Sequence, residues 1–225
     1  MQLITVFDKL LAQHGPQHWW PAESLFEVMV GAILTQNTAW SNVEKAIANL
    51  KRAGKLSARD IVATPQAELA ELLTPSGYFN IKAQRLRQFC EWLLENGGYA
   101  RLAQRETAQL RRELLSVHGI GHETADDILL YAYARPVFVI DAYTRRLFAR
   151  LGLVAGDEPY EAVREFFEAT LAGESPARDD DMTGLFNEYH ALIVAHAKHV
   201  CRKNPACDRC CLRADCPSRQ QSSAA

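Results

Sequence analysis

The chain has 225 residues, 48% of them hydrophobic, and a formal net charge of −2. That length and apolar content allow one large or two smaller packed domains and exclude a wholly disordered chain. A near-neutral balance neither demands nor forbids a polyanionic partner, because a local basic face can bind phosphates whatever the total charge.

From the N-terminus, Met1 to Lys9 places its positive charge after the apolar stretch and offers no cleavage site, so it does not read as a secretory signal. The longest apolar run, 26–34, is about half of the ~18 residues that a membrane span needs. A cytoplasmic (nucleoid-associated), monomeric protein without membrane contact is expected.

Helical periodicity dominates the rest. Ser24 followed by Phe26, Val28, Met29, Ile33 and Leu34 predicts a capped, deeply buried helix, and Ser41 or Asn42 is expected to cap the next, with Val43, Ala46, Ile47 and Leu50 inward. Further helices are predicted over 57–64, 66–73, 81–95, 107–116, 123–133, 142–151, 159–170 and 184–199, joined by short Gly-, Pro- and Asn-rich connections. The polar stretch 173–181 reads as a mobile loop and the tail after Pro217 as frayed. The basic segments Lys82–Arg85–Arg87, Arg111–Arg112, Arg145–Arg146–Arg150 and Lys198–Arg202–Lys203 each read first as solvated helix faces. The fold class is all-α.

Three features carry chemistry. Five of the six cysteines lie in the last 25 residues, spaced C-x5-C-x2-C-C-x4-C. With no secretory signal, disulfides are disfavoured, and four gathered thiolates bind zinc or an iron–sulfur cluster. A single close pair flanked by lone cysteines is nearer to cluster patterns than to paired zinc knuckles. The ligand set read from it is Cys201, Cys207, Cys210 and Cys216, with Cys211 spare; Cys90 sits in an apolar helical pattern and reads as core. Second, Gly119-Ile-Gly121 between two helical stretches lets the backbone turn tightly, approach a phosphate and present free N–H groups. Third, Asp141 follows the run Val137-Phe-Val-Ile140 and precedes a helix. An aspartate there is ordinarily an N-cap, and beside a phosphate-binding hairpin it can also be a carboxylate at the mouth of a cleft.

From about Phe26 to Cys216 the sequence resembles the endonuclease III superfamily of helix-hairpin-helix DNA glycosylases. The likeness is carried by Gly31-Ala-Ile-Leu-Thr-Gln36-Asn-Thr38, Gly77-Tyr-Phe-Asn-Ile-Lys-Ala83, the hairpin 119–124, Val139-Ile-Asp141 and the cysteine loop. The resemblance implies two helical domains, here 22–135 and 1–21 with 136–216, followed by a tail at 217–225. It further implies a cleft for an extruded base in double-stranded DNA and a C-terminal [4Fe–4S] loop. Asp141 would be the catalytic aspartate, Gln36 would fill the gap left by the flipped base, and Gly119, Gly121 and Thr124 would belong to the DNA-binding hairpin.

Glu123 occupies the place where bifunctional members carry a lysine, so no amine is available for a Schiff base and strand cleavage is not expected. The first cysteine interval is one residue shorter than the family's usual six. His18-Trp19-Trp20-Pro21, 35–40 and 119–126 look like the 3-methyladenine DNA glycosylase III subgroup, whose aromatics at positions matching Trp19, Trp20 and Trp40 form a stacking pocket. Members of that subgroup can lack the cysteine loop, so this chain would join such a pocket to a retained cluster. The expected function is monofunctional release of an alkylated purine such as 3-methyladenine. The alternatives are a glycosylase for uracil, thymine opposite guanine or an oxidised pyrimidine, and a non-catalytic damage-binding module.

Overall fold

A computed structural model describes residues 1–174 and 181–219; the predicted mobile stretch lies largely, and the frayed tail mostly, outside the described residues. The described chain is helical and divides into two units, 20–135 and 1–19 with 136–225. No helix among the described residues is long and apolar enough to cross a membrane.

The contiguous unit holds α2 (Leu25–Leu34), α3 (Trp40–Arg52), α4 (Ala58–Ala63), α5 (Gln66–Leu72), α6 (Phe79–Glu95), α7 (Gly98–Leu102), α8 (Thr107–Ser116) and α9 (His122–Asp127). The Ser24 hydroxyl caps α2 by accepting from the Glu27 N–H at 3.2 Å, and eight of the helix's ten residues are buried. The predicted Ser41 or Asn42 cap is corrected. Helix α3 starts at Trp40 because extended Ala39 offers its carbonyl to the Asn42 and Val43 amides, without a side-chain cap. The helix predicted over 123–133 ends as a regular α-helix at Asp127 and continues as one π-helical turn, Ile128–Ala132, buried throughout.

The other unit packs α1 (Leu3–His14) against α11 (Tyr160–Glu174) and α12 (Met182–His199), with α10 (Ala142–Arg150) also on α12. Helix α1 was not predicted, although its buried Leu3, Val6, Phe7 and Leu10 have i, i+3, i+4, i+7 spacing. Its first turn is tied down where the Tyr189 hydroxyl donates to the Leu3 carbonyl (2.7 Å) and the Ile4 N–H donates to Glu174 (2.8 Å). The core is aromatic: Phe138, Phe148 and Phe167 pack with centroids 4.7 Å apart along Phe138–Phe167 and Phe148–Phe167, and Phe186 and Tyr189 close around Phe138.

The solvated-face reading of the basic segments is corrected at several positions. Lys82 is 2% exposed. Arg87 donates to the carbonyls of Val62 and Thr64. Arg111 grips fully buried Asp126 through two bonds, at 2.6 and 3.0 Å. Arg146 and Arg150 donate to backbone carbonyls of the cysteine loop. Lys198, Arg202 and Lys203 are exposed, as read. Lys82 is therefore buried, and several of the half-buried arginines bind the protein's own carbonyls or carboxylates.

Candidate functional site

In the N- and C-terminal unit, Asp141 is the N-cap of α10, its Oδ1 accepting from the Thr144 N–H at 2.7 Å. The side chain is buried, and its second oxygen lies 3.7 Å from His190 Nε2, too long for a direct hydrogen bond. Burial alone would push the carboxyl's pKa up; the His190 imidazole and the Thr144 amide outweigh it and hold the pKa below the usual carboxylate value. The helix N-terminus favours the same charged form. Asp141 is therefore a cap and a buried, ionised carboxylate at once.

His190 was missed in the sequence. Its signal was faint: a lone histidine at a buried position of α12, among apolar neighbours such as Leu192 and Ile193. Trp19 meets the His190 ring edge-on at 5.9 Å, and the Lys198 ammonium lies 5.9 Å from the Trp19 ring and 6.0 Å from that of Tyr143.

In the contiguous unit, Trp20 and Trp40 meet in a T-shaped pair at 5.1 Å, and Tyr131 from the π-helical turn lies 4.9 Å from Trp20. The three tryptophans thus divide between the units, Trp20 and Trp40 in one and Trp19 in the other. Tyr131 is a further aromatic that sequence reading missed, because a straight α-helix was expected through it. Gly31 makes the pair possible: a Cβ there would stand 3.2 Å from Trp20 and 3.3 Å from Trp40. The Trp40 indole N–H donates to Glu44 at 2.9 Å, which fixes its ring along α3.

The hairpin joins α8 to α9. Gly119 has φ +90°, and a Cβ on it would collide with the Arg85 side chain at 2.3 Å, so glycine is required there. Gly121 is the extended N-cap of α9, with open space where a Cβ would point. Gln36 is bound to this hairpin: its amide nitrogen donates to the Gly119 carbonyl and to the Thr124 hydroxyl, both at 3.0 Å, and its oxygen accepts from Arg85. Glu123 is exposed in the first turn of α9.

At the C-terminus, Cys201, Cys207, Cys210 and Cys216 line one recess with Arg150, and Cys211 does not. Arg150 donates to the Cys201 sulfur at 3.2 Å, and His196 Nε2 stands 3.4 Å from that of Cys210. Burial pushes the Cys210 thiol's pKa up, and the other three cysteines of the recess act in the same direction, so four thiolates here would repel one another without a cation among them. Among the described residues, no three His, Cys, Asp or Glu side chains converge tightly enough to hold a single metal ion. Cys90 is fully buried in the other unit, as the apolar pattern predicts.

Comparisons with known proteins follow the same lines. A Methanocaldococcus jannaschii protein provisionally named a DNA repair glycosylase is 45% identical over 220 residues, covering 96% of both chains. Endonuclease III of Thermotoga maritima is 28% identical over 85% of this chain and 82% of its own. Among solved structures, the Helicobacter pylori 3-methyladenine DNA glycosylase bound to 1,N6-ethenoadenine superposes with a TM-score of 0.77 at 31% identity, covering 88% of this chain and 98% of that one. An endonuclease III–DNA complex shares the fold at 21% identity and a TM-score of 0.77, over 96% of this chain and 94% of its own. Residues 30–172 match the family profile described as HhH-GPD superfamily base excision DNA repair protein, and the chain belongs to that family.

Proposed function

We propose that this protein is a monofunctional DNA glycosylase that hydrolyses the N-glycosidic bond of an alkylated purine such as 3-methyladenine in double-stranded DNA. The observation that carries this reading is the aromatic set in which Trp20 and Trp40 pack over Gly31 and Tyr131 packs on Trp20. An N3-alkylated purine is cationic and already a good leaving group, so the protein needs no general acid. It must extrude the base, hold it and stabilise positive charge developing on the sugar. Electron-rich indoles attract a cationic base by about 1 kcal/mol or more once water is excluded. A neutral pyrimidine would instead need polar groups to read its edge.

In this reading Asp141 is the catalytic group. Its ionised carboxylate stabilises an oxocarbenium-like sugar and orients the attacking water, as carboxylates do in glycoside hydrolysis. Gln36, Gly119, Gly121 and Thr124 engage the DNA backbone and the space vacated by the base. Glu123 carries no amine, so the Schiff-base step behind strand cleavage has no nucleophile at that position.

The four-cysteine recess fits a [4Fe–4S] cluster. Its donors are four thiols and its lining carries the Arg150 guanidinium, which offsets negative charge. Cys201, Cys207, Cys210 and Cys216 would hold the cluster, which when bound supplies a cross-link folding the C-terminal loop.

The test is a panel of duplexes carrying single lesions, 3-methyladenine among them, with base release scored separately from strand breakage. Release of the methylated purine without breakage supports the reading. Breakage on oxidised pyrimidines would overturn both the substrate and the monofunctional assignments.

A further inference from the structure

Lys82 presents an unusual use of charge. It stands in the first turn of α6, where the helix dipole disfavours a cation, and it is almost completely buried. Its ammonium donates to three acceptors from three segments: the Leu34 carbonyl at the C-terminal end of α2 (2.8 Å), the Thr38 hydroxyl, and the Ser76 carbonyl before α6 (2.7 Å). The Thr38 hydroxyl in turn donates to the Ser76 carbonyl at 2.5 Å. An ammonium has three donors, and all three are used.

Two of those acceptors, at Leu34 and Thr38, bracket residues 35–37, the segment that carries Gln36. Within it Asn37 adopts φ +53°, the left-handed region that asparagine tolerates better than most side chains. Beside the third acceptor, Tyr78 does the same at φ +46°. Gln36 then reaches the hairpin through its bonds to Gly119 and Thr124. Hydrogen bonds thus tie both ends of the 35–37 segment to a buried cation and the Gln36 side chain in its middle to the hairpin, all inside one unit.

We propose that Lys82 is a positioning residue that holds the 35–38 loop so that Gln36 is presented in one fixed place to DNA missing a base. It touches no substrate and acts through Gln36. The inference rests on the DNA-binding part of the proposed function, not on base release or on which lesion is excised.

The test is a double-mutant cycle read as a binding preference: the ratio of Kd for an undamaged duplex to Kd for the same duplex carrying a tetrahydrofuran abasic analogue. Thr38→Val, which removes one acceptor and leaves the buried lysine in place, should lower that preference about tenfold, and Thr38→Ser should restore it. In a Gln36→Ala background, Thr38→Val should change the preference less than about twofold, because the loop then has nothing to present. Lys82→Met should follow the same pattern wherever its thermal melt shows a folded protein. An equal fall in both backgrounds would mean a merely structural role and overturn the proposal, as would no fall in the wild-type background or no preference in the wild-type protein. Base release is measured separately; an intact abasic preference with no release from any lesion would sink the glycosylase reading and leave this one standing.

Discussion

Asp141 and His190 face each other across 3.7 Å inside one unit, while the Thr144 amide takes the other carboxylate oxygen. The carboxylate is thereby buried and ionised, with one oxygen capping the helix and the other beside an imidazole. Asp141→Asn should keep most of the cap, because asparagine caps a helix about as well as aspartate. It should lower single-turnover base release by two or more orders of magnitude, with affinity for lesion duplex little changed. Unchanged release would return Asp141 to a purely capping role.

The same contact sets a pH dependence. The folded pKa of Asp141 lies below its ordinary value of 3.8, so its ionisation contributes stability above that value and the contribution is lost as pH falls through the lower folded pKa. The melting-temperature difference between wild type and Asp141→Asn should hold steady from pH 7 to 5 and shrink only below about pH 4. A difference that shrank between pH 7 and 5 would show the carboxyl's pKa to be raised.

The Trp20 and Trp40 indoles both pack where a Cβ on Gly31 would stand. Gly31→Val should push Trp20 and Trp40 apart, costing about 1–3 kcal/mol of stability as overpacking does. Release of a methylated purine should fall at least tenfold. Retained release at normal rate would remove the aromatic set from the base pocket.

Glu123 is exposed at the start of α9. Installing the amine by Glu123→Lys should leave folding within about 0.5 kcal/mol, as exposed substitutions do. It should also let borohydride trap a covalent protein–DNA adduct that the wild type does not form. Trapping by the wild type would reveal another amine at the site.

The five C-terminal cysteines divide four to one around the recess. Cys201→Ser should remove visible absorbance from purified protein and destabilise the C-terminal loop, while Cys211→Ser should leave both unchanged. Equal effects of the two substitutions would overturn the ligand set.

The all-helical class, the Ser24 cap and the buried Cys90 were legible because each rests on local periodicity or on a capping residue next to its own helix. Asp141 was legible as a cap for the same reason: its hydrogen-bond partner lies three residues away. The amphipathic spacing of α1, Leu3, Val6, Phe7 and Leu10, is legible in the sequence too. What no local pattern contained was the use of charge and of aromatic rings between elements. Lys82 and Arg87 read as solvated because lysine and arginine usually are, and only the packing of α6 against the ends of other segments supplies the carbonyls that make their burial affordable. His190 reaches Asp141 from 49 residues away, and Tyr131 meets Trp20 from a π-helical turn that no local pattern announces. Residue types and spacings in the sequence determined which helices form and which chemistry is available; three-dimensional packing decided which charged groups are buried and which partners they meet, because those energies depend on neighbours distant along the chain.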